Sequence, residues 1–149
     1  MKPLVILICT FILATVFYRF IFGYFDYHFS GKIALAGMLV FTAIGHFVFT
    51  KGMARMLPEF VPFPVGIVYF TGFLEILAAA AIFFPSLCFL TGCLLIAFFI
   101  MVLPANIYAS WKGIDYRTGN LGGNGRSYLW FRIPFQILLI VWTYFFVIR

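Results

Sequence analysis

Five polar side chains that can exchange protons or hydrogen bonds stand inside otherwise apolar stretches of this 149-residue sequence. They are His46, Glu75, Asn106, Arg132 and Gln136. An imidazole and a carboxyl group can accept and release protons, while a guanidinium and two amides can hold a carboxylate or a carbonyl oxygen. The set therefore offers two kinds of chemistry: a hydrogen-bonded network that joins helices, or a small site that handles a proton beside an apolar ligand.

Glu75 is the deepest of these groups, in the apolar stretch "TGFLEILAAAAIFF". It follows Val65 by about ten residues, which is roughly 15 Å along a helix at 1.5 Å per residue. Gly72 and Ala79 lie on the same side of the predicted helix, and small residues let membrane helices approach closely. We expect the carboxyl group to face the bundle interior, because an ionisable group facing lipid costs roughly 2.5–3.5 kcal/mol on insertion scales.

Most members of the set are expected in the same half of the membrane, toward the side predicted below to be cytoplasmic. Arg132 and Gln136 are four residues apart, so they share a helix face. The long Arg132 side chain is predicted to span most of the depth to the carboxyl group. The sequence thus predicts that Glu75 is paired chiefly with Arg132, and that Gln136, Asn106 and His46 lie nearby.

Two prolines are predicted to kink the helices that carry these groups. Pro104 removes a backbone donor and leaves the carbonyl of Ile100 without its helical partner. Asn106, just beyond, is expected to hydrogen-bond the disturbed backbone. Pro134 lies in the opening turns of the last helix. Irregular backbone at membrane depth is tolerated where it is buried or lines a cavity, which agrees with a polar cluster at this level.

The composition places these residues in a membrane. The chain is 65% apolar and only 9% charged, whereas about a quarter of a soluble domain is charged. A bilayer core needs about 20 apolar residues per helix, and lipid does not tolerate open sheet edges. We predict an all-α polytopic bundle that forms one membrane domain over residues 1–149. Its five transmembrane helices are predicted at 3–25, 33–50, 65–84, 87–109 and 128–148.

Basic residues predict the orientation. One side of a five-helix bundle receives Lys2, Lys51, Arg55, Lys112, Arg117 and Arg126, and the other receives Arg19, Lys32 and Arg149. The positive-inside rule makes the first side, with the N-terminus, cytoplasmic. The first helix is expected to be retained, because no small-x-small cleavage site follows it. The net charge of +6 is assigned to topology and to anionic lipids, and nucleic acid is not expected as a partner.

The sequence carries no recognised metal or cofactor motif. Cys9, Cys88 and Cys93 form no C-x-x-C pair, and the single intramembrane histidine has no second histidine near it. The "GNLGGNG" run within 111–127 lacks the Lys-Ser/Thr ending of a phosphate-binding loop, so it is interpreted as a connector. We therefore expect no metal and identify no cofactor.

Five stretches, in this order, resemble the DoxX-like family of small bacterial integral membrane proteins. They are "AIGHFVF", "LPEFVPFP", "VYFTGFLEILAA", "LPANIYAS" and "FRIPFQILLIVW". The similarity covers roughly residues 33–148, so residues 1–25 are an additional N-terminal helix. The resemblance implies a four-helix core in the bacterial inner membrane, with the five polar residues above as its signature set. It also implies a role linked either to quinone-dependent redox chemistry or to the assembly of membrane proteins.

Three functions remain open. In the first, the polar set locks the bundle of a structural or accessory protein that binds or assembles a membrane partner or another copy of itself. In the second, a quinone or small apolar ligand binds, with His46 hydrogen-bonded to a carbonyl and Glu75 handling a proton, as in a subunit of a quinone-linked oxidoreductase. The third is a small transporter or proton path through Glu75. The first, non-enzymatic interpretation is preferred.

Overall fold

The computed structural model describes residues 2–115 and 125–149. Within them lie six α-helices and a short π-helical segment. The helices are α1 (Lys2–Phe22), α2 (Tyr27–Val48), α3 (Thr50–Arg55), α4 (Pro64–Ala81), α5 (Pro85–Lys112) and α6 (Gly125–Thr143), and the π segment is Tyr144–Ile148. Five segments are long and apolar enough to cross a membrane: α1, α2, α4, α5 and Leu129–Ile148. The predicted all-α membrane bundle is therefore confirmed.

Capping, not hydropathy, sets the start of α2. The helix begins at Tyr27, whereas the apolar pattern predicted a start at residue 33. The Asp26 side chain accepts a hydrogen bond from the Phe29 backbone N–H at 2.9 Å, and the Ser30 hydroxyl donates to the Asp26 carbonyl at 2.7 Å. The Asp26 carboxylate satisfies one of the first N–H groups of the helix, so the polar first turn is helical despite its low hydropathy.

The connection predicted over residues 51–64 contains a helix of its own, α3. The Thr50 hydroxyl donates to the His46 carbonyl at 2.6 Å, which ties the start of α3 to the end of α2. Pro64 then opens α4, since its fixed φ suits the first helical position. We call this end of the bundle, with α3, the start of α4 and the end of α5, the α3 end. The connector predicted over 111–127 lies largely outside the described residues.

The helices pack mainly in two groups. α2 packs against α1 on one side and α4 on the other, whereas α5 packs against α6. A short turn, residues 82–84, joins α4 to α5. The two helices contact each other at few positions, because each buries its face mainly against another helix. Leu7 of α1 and Leu35, Met38 and Leu39 of α2 are almost fully buried in the core.

The C-terminal segment packs closely against two glycines. A Cβ at Gly31 would overlap Cγ of Phe146, and one at Gly92 would lie 2.6 Å from Cγ1 of Ile148. The Trp142 indole also donates to the Gly31 carbonyl at 3.1 Å. The absence of side chains at these two positions thus lets the end of the chain pack on α2 and α5.

Replacing Gly31 with alanine is therefore expected to destabilise the bundle. The new methyl group overlaps the Phe146 ring and approaches its Cβ to 2.8 Å, and overpacking of this kind typically costs about 1–3 kcal/mol. Gly45→Ala is the matched control on the same helix, because its Cβ meets only the end of Met53 at 3.6 Å. Thermal unfolding in detergent should show a lower midpoint for Gly31→Ala alone. Equal midpoints would contradict this account of the packing.

Candidate functional site: an interhelical polar cluster

His46 is held at the end of α2 by two groups of α4. Its Nδ1 atom lies 3.1 Å from the Val68 carbonyl oxygen and 3.0 Å from the Thr71 hydroxyl. The Thr71 hydroxyl itself donates to the same carbonyl at 2.9 Å. Because a carbonyl oxygen can only accept, Nδ1 carries a hydrogen. This arrangement leaves Nε2 as the ring nitrogen that faces Glu75.

The Glu75 carboxyl group is buried beside that imidazole. The residue is only 6% exposed, and its Oε1 lies 3.7 Å from Nε2 of His46. The Thr42 hydroxyl on α2 also interacts with the carboxyl group. The second oxygen, Oε2, is buried and has no hydrogen-bond partner within the described part of the chain. One oxygen is thus engaged by α2, and the other keeps unused accepting capacity.

Gly72 makes this meeting of α2 and α4 possible. A Cβ at this position would lie 2.8 Å from Cβ of His46 and 3.4 Å from the Phe47 ring. Only glycine lets the two backbones approach this closely without displacing the histidine. Small residues beside Glu75 were predicted to permit close helix contact, and Gly72 has that role here.

A second set of contacts joins α5 to α6. Arg132 Nη2 donates to Oδ1 of Asn106 at 2.8 Å, and Gln136 donates to the carbonyl of Phe99. Asn106 and Gln136 are only 4% and 6% exposed. Each of these contacts satisfies a buried polar group with a partner on the neighbouring helix, as burial in an apolar environment requires.

The two prolines lie within continuous helices. α5 runs through Pro104 and α6 runs through Pro134. Phe99, whose carbonyl receives the Gln136 amide, lies in the turn that precedes Pro104. Asn106 was expected to bond the disturbed backbone at Ile100, but its Oδ1 accepts from the Arg132 guanidinium. Gln136 donates to the carbonyl of Phe99, one residue before Ile100.

Four of the five predicted residues therefore form two pairs, His46 with Glu75 and Arg132 with Asn106, rather than one centre on Glu75. Gln136, the fifth, contacts the Phe99 backbone. Arg132 was predicted as the chief partner of Glu75, but the structure places the His46 imidazole beside the carboxyl group, with Nε2 at 3.7 Å from Oε1. Arg132 donates to Asn106, and its charge still acts on both His46 and Glu75. It follows that the guanidinium links the two halves electrostatically. We use the term polar cluster for these five residues together.

Sequence reasoning missed two threonines that complete the site. Thr71 supports the imidazole, and Thr42 interacts with the carboxyl group. Each precedes a cluster member on its own helix by four residues, Glu75 and His46 respectively. Residues four apart share a helix face, so this spacing was the available signal.

The described residues offer no further ligand set. Among them, no three His, Cys, Asp or Glu side chains come together in a group that would hold a metal ion. Cys88 is buried and its thiol donates to the Val147 carbonyl at 3.1 Å, whereas Cys9 and Cys93 are exposed. Within the described residues, the polar cluster is thus the group inside the bundle that offers side chains for proton exchange or ligand binding.

The chain belongs to the family described as Domain of unknown function (DUF8561), whose model matches residues 35–147. The match contains the whole polar cluster and leaves α1 outside. No curated protein and no solved structure matches the chain. The DoxX-like relationship stays a prediction.

Gly72→Ala is expected to disturb the polar cluster directly. The added methyl group would sit 2.8 Å from Cβ of His46, so α2 and α4 must separate or the imidazole must move away from Glu75. We expect a loss of about 1–3 kcal/mol in stability. Gly66→Ala on the same helix is the control, because its Cβ meets Phe63 at an ordinary 3.9 Å. The measurement is the midpoint of thermal unfolding, and a Gly72→Ala midpoint at or above the control contradicts the close approach.

Proposed function

We propose that this member of the DUF8561 family is a non-enzymatic accessory protein of the bacterial inner membrane. Its polar cluster fixes how the helices pack, and the fixed bundle binds or assembles a partner membrane protein. One observation carries the proposal: the polar side chains of the cluster make their contacts across the α2–α4 and α5–α6 interfaces. A network committed to interhelical contacts favours a structural role over a reactive one.

The value of such a network lies in specificity more than in total stability. Hydrogen bonds between membrane helices average only about 0.6 kcal/mol each in one well-studied protein. A rotation of α4 that turned Glu75 toward lipid would instead incur the cost of an ionisable group in hydrocarbon, roughly 2.5–3.5 kcal/mol on insertion scales. The cluster therefore disfavours other rotations of α4 strongly. This suits a bundle that must present one defined surface to its partner.

The proposed orientation follows from the charges at the α3 end. Lys51, Arg55 and Lys112 lie in or beside α3 and at the end of α5. Cytoplasmic loops carry an excess of Lys and Arg. We therefore assign the α3 end, and with it the N-terminal end of α1, to the cytoplasmic side.

The structural role predicts different results for two substitutions at Glu75. Glu75→Ala removes the contact with His46 and leaves a cavity, so membrane accumulation should fall several-fold. Glu75→Gln keeps the shape and hydrogen-bonding capacity and should accumulate close to the unsubstituted level. Leu77→Ala is the control on the same helix, since that side chain is half exposed to the surroundings. Immunoblots of membrane fractions measure the effect, and normal accumulation of Glu75→Ala would contradict the role.

The accessory role predicts one specific partner. Full-length tagged protein, cross-linked in membranes and purified in mild detergent, should carry one membrane protein at constant stoichiometry. Glu75→Gln should retain it, while Glu75→Ala should lose it even after correction for accumulation. Purification of the unsubstituted chain alone, or with a variable mixture of proteins, would argue against partner binding.

The unused oxygen of Glu75 favours one second candidate. A buried acceptor without a protein partner is costly, and a hydroxyl group of a quinol or another small apolar ligand would satisfy Oε2. Mass spectrometry of lipid extracts from the purified protein separates the two functions. A quinone retained by the unsubstituted chain and lost in Glu75→Gln supports the ligand site, whereas equal extracts from both favour the structural role.

A further inference from the structure

A cavity of about 410 Å³ opens at the α3 end, separate from the polar cluster. Its wall joins the loop between α3 and α4 to the last turns of α5. The side chains that give it chemical character are Arg55, Glu59, Tyr108 and Lys112. Its volume falls within the range of about 300–1,000 Å³ found for small-molecule sites.

The cavity carries both signs of charge and an aromatic face. Lys112 Nζ lies 3.3 Å from Oε1 of Glu59 and 4.8 Å from the centre of the Tyr108 ring, and Arg55 contributes a guanidinium. The Glu59 side chain is 91% exposed, and an ion pair so open to solvent contributes little to stability. Little stability is therefore lost when a ligand replaces Lys112 on Glu59.

Exposed aromatic residues place this cavity at the level of the lipid headgroups. Trp111 is 72% exposed and Trp130 is 84% exposed at the same end of the bundle, and Trp is enriched at membrane–water interfaces. Phe60 and Phe63 adjoin the cavity residues Glu59 and Pro64 in the sequence, and each is 85% exposed. These rings are suited to contact the acyl chains next to a bound headgroup.

The backbone of Phe63 supports a role for that exposed ring. Its φ is +52°, in the left-handed region, which costs a non-glycine residue of order 1–3 kcal/mol. The residue directly precedes α4, whose start has no side-chain cap. The start of α4 and the end of α5 border the cavity at Pro64 and Lys112, so partial charges of both signs also face it.

We propose that this cavity binds the headgroup of a phospholipid that carries both a phosphate and a primary amine. Arg55 and Lys112 hold the phosphate. The lipid ammonium takes the position on Glu59 and the Tyr108 ring that the Lys112 ammonium occupies in this structure, and the acyl chains leave along Phe60 and Phe63. A headgroup that carries only the phosphate provides no ligand group for Glu59 and Tyr108. The inference is independent of the proposed function, because it uses no residue of the polar cluster.

The test compares lipids on the purified, delipidated full-length protein by native mass spectrometry. Phosphatidylethanolamine is titrated against phosphatidylglycerol, which has the phosphate without the amine, and against soluble phosphoethanolamine. We expect the first lipid to bind about tenfold more tightly than the second, as one charge-assisted hydrogen bond allows. Soluble phosphoethanolamine should fail to displace it, because it lacks the acyl chains.

Substitutions test whether the side chains of the cavity cause the lipid preference. Lys112→Met should weaken both lipids about tenfold, and Glu59→Gln should remove the preference for the amine. Lys51→Met is the matched control, an exposed lysine at the same end that does not line the cavity. Circular dichroism verifies that all variants are folded. Equal binding of both lipids, an unchanged Lys112→Met, or displacement by soluble phosphoethanolamine would overturn the proposal.

Discussion

The structure depends on the requirement that a carboxyl group inside hydrocarbon must find partners on another helix. Charge and hydrogen-bonding groups are poorly solvated in an apolar interior, so Glu75 restricts where α4 can lie. The partner is His46, and its approach requires glycine at position 72, where a Cβ would come within 2.8 Å of the histidine Cβ. The burial of Glu75 thus requires a histidine as its partner, a glycine at position 72 and a short distance between α2 and α4.

The polar contacts follow the same division as the apolar packing. His46, Thr71 and Glu75 join α2 to α4, while Arg132 and Gln136 join α6 to α5. The two groups are connected where the segment Tyr144–Ile148 packs on α2 and where Trp142 donates to the Gly31 carbonyl. Because α4 and α5 contact each other at few positions, these connections, and not the short turn, hold the two groups together.

The sequence was sufficient to predict the features that follow from hydropathy and from the free-energy cost of burying a polar side chain. Five apolar stretches predicted five spans, and the expense of burying Glu75 predicted that it faces other helices. The exact partner was beyond such reasoning. Helix depth placed Arg132 within reach of Glu75, but whether a guanidinium meets a carboxylate or the amide of Asn106 depends on helix rotation and neighbour order. The apolar pattern also missed the capped start of α2, because Asp26 acts through hydrogen bonding.

The arrangement of α1 shows which part of the chain carries the site. α1 supplies no member of the polar cluster, its only buried residue is Leu7, and it lies outside the family match at 35–147. It packs on α2, whose opposite side meets α4. The cluster is therefore complete within the four remaining spans. α1 instead covers the second apolar side of α2 and adds an exposed apolar surface. Its role is therefore in contacts with the lipid or other surroundings of the bundle, and not in the chemistry of the polar cluster.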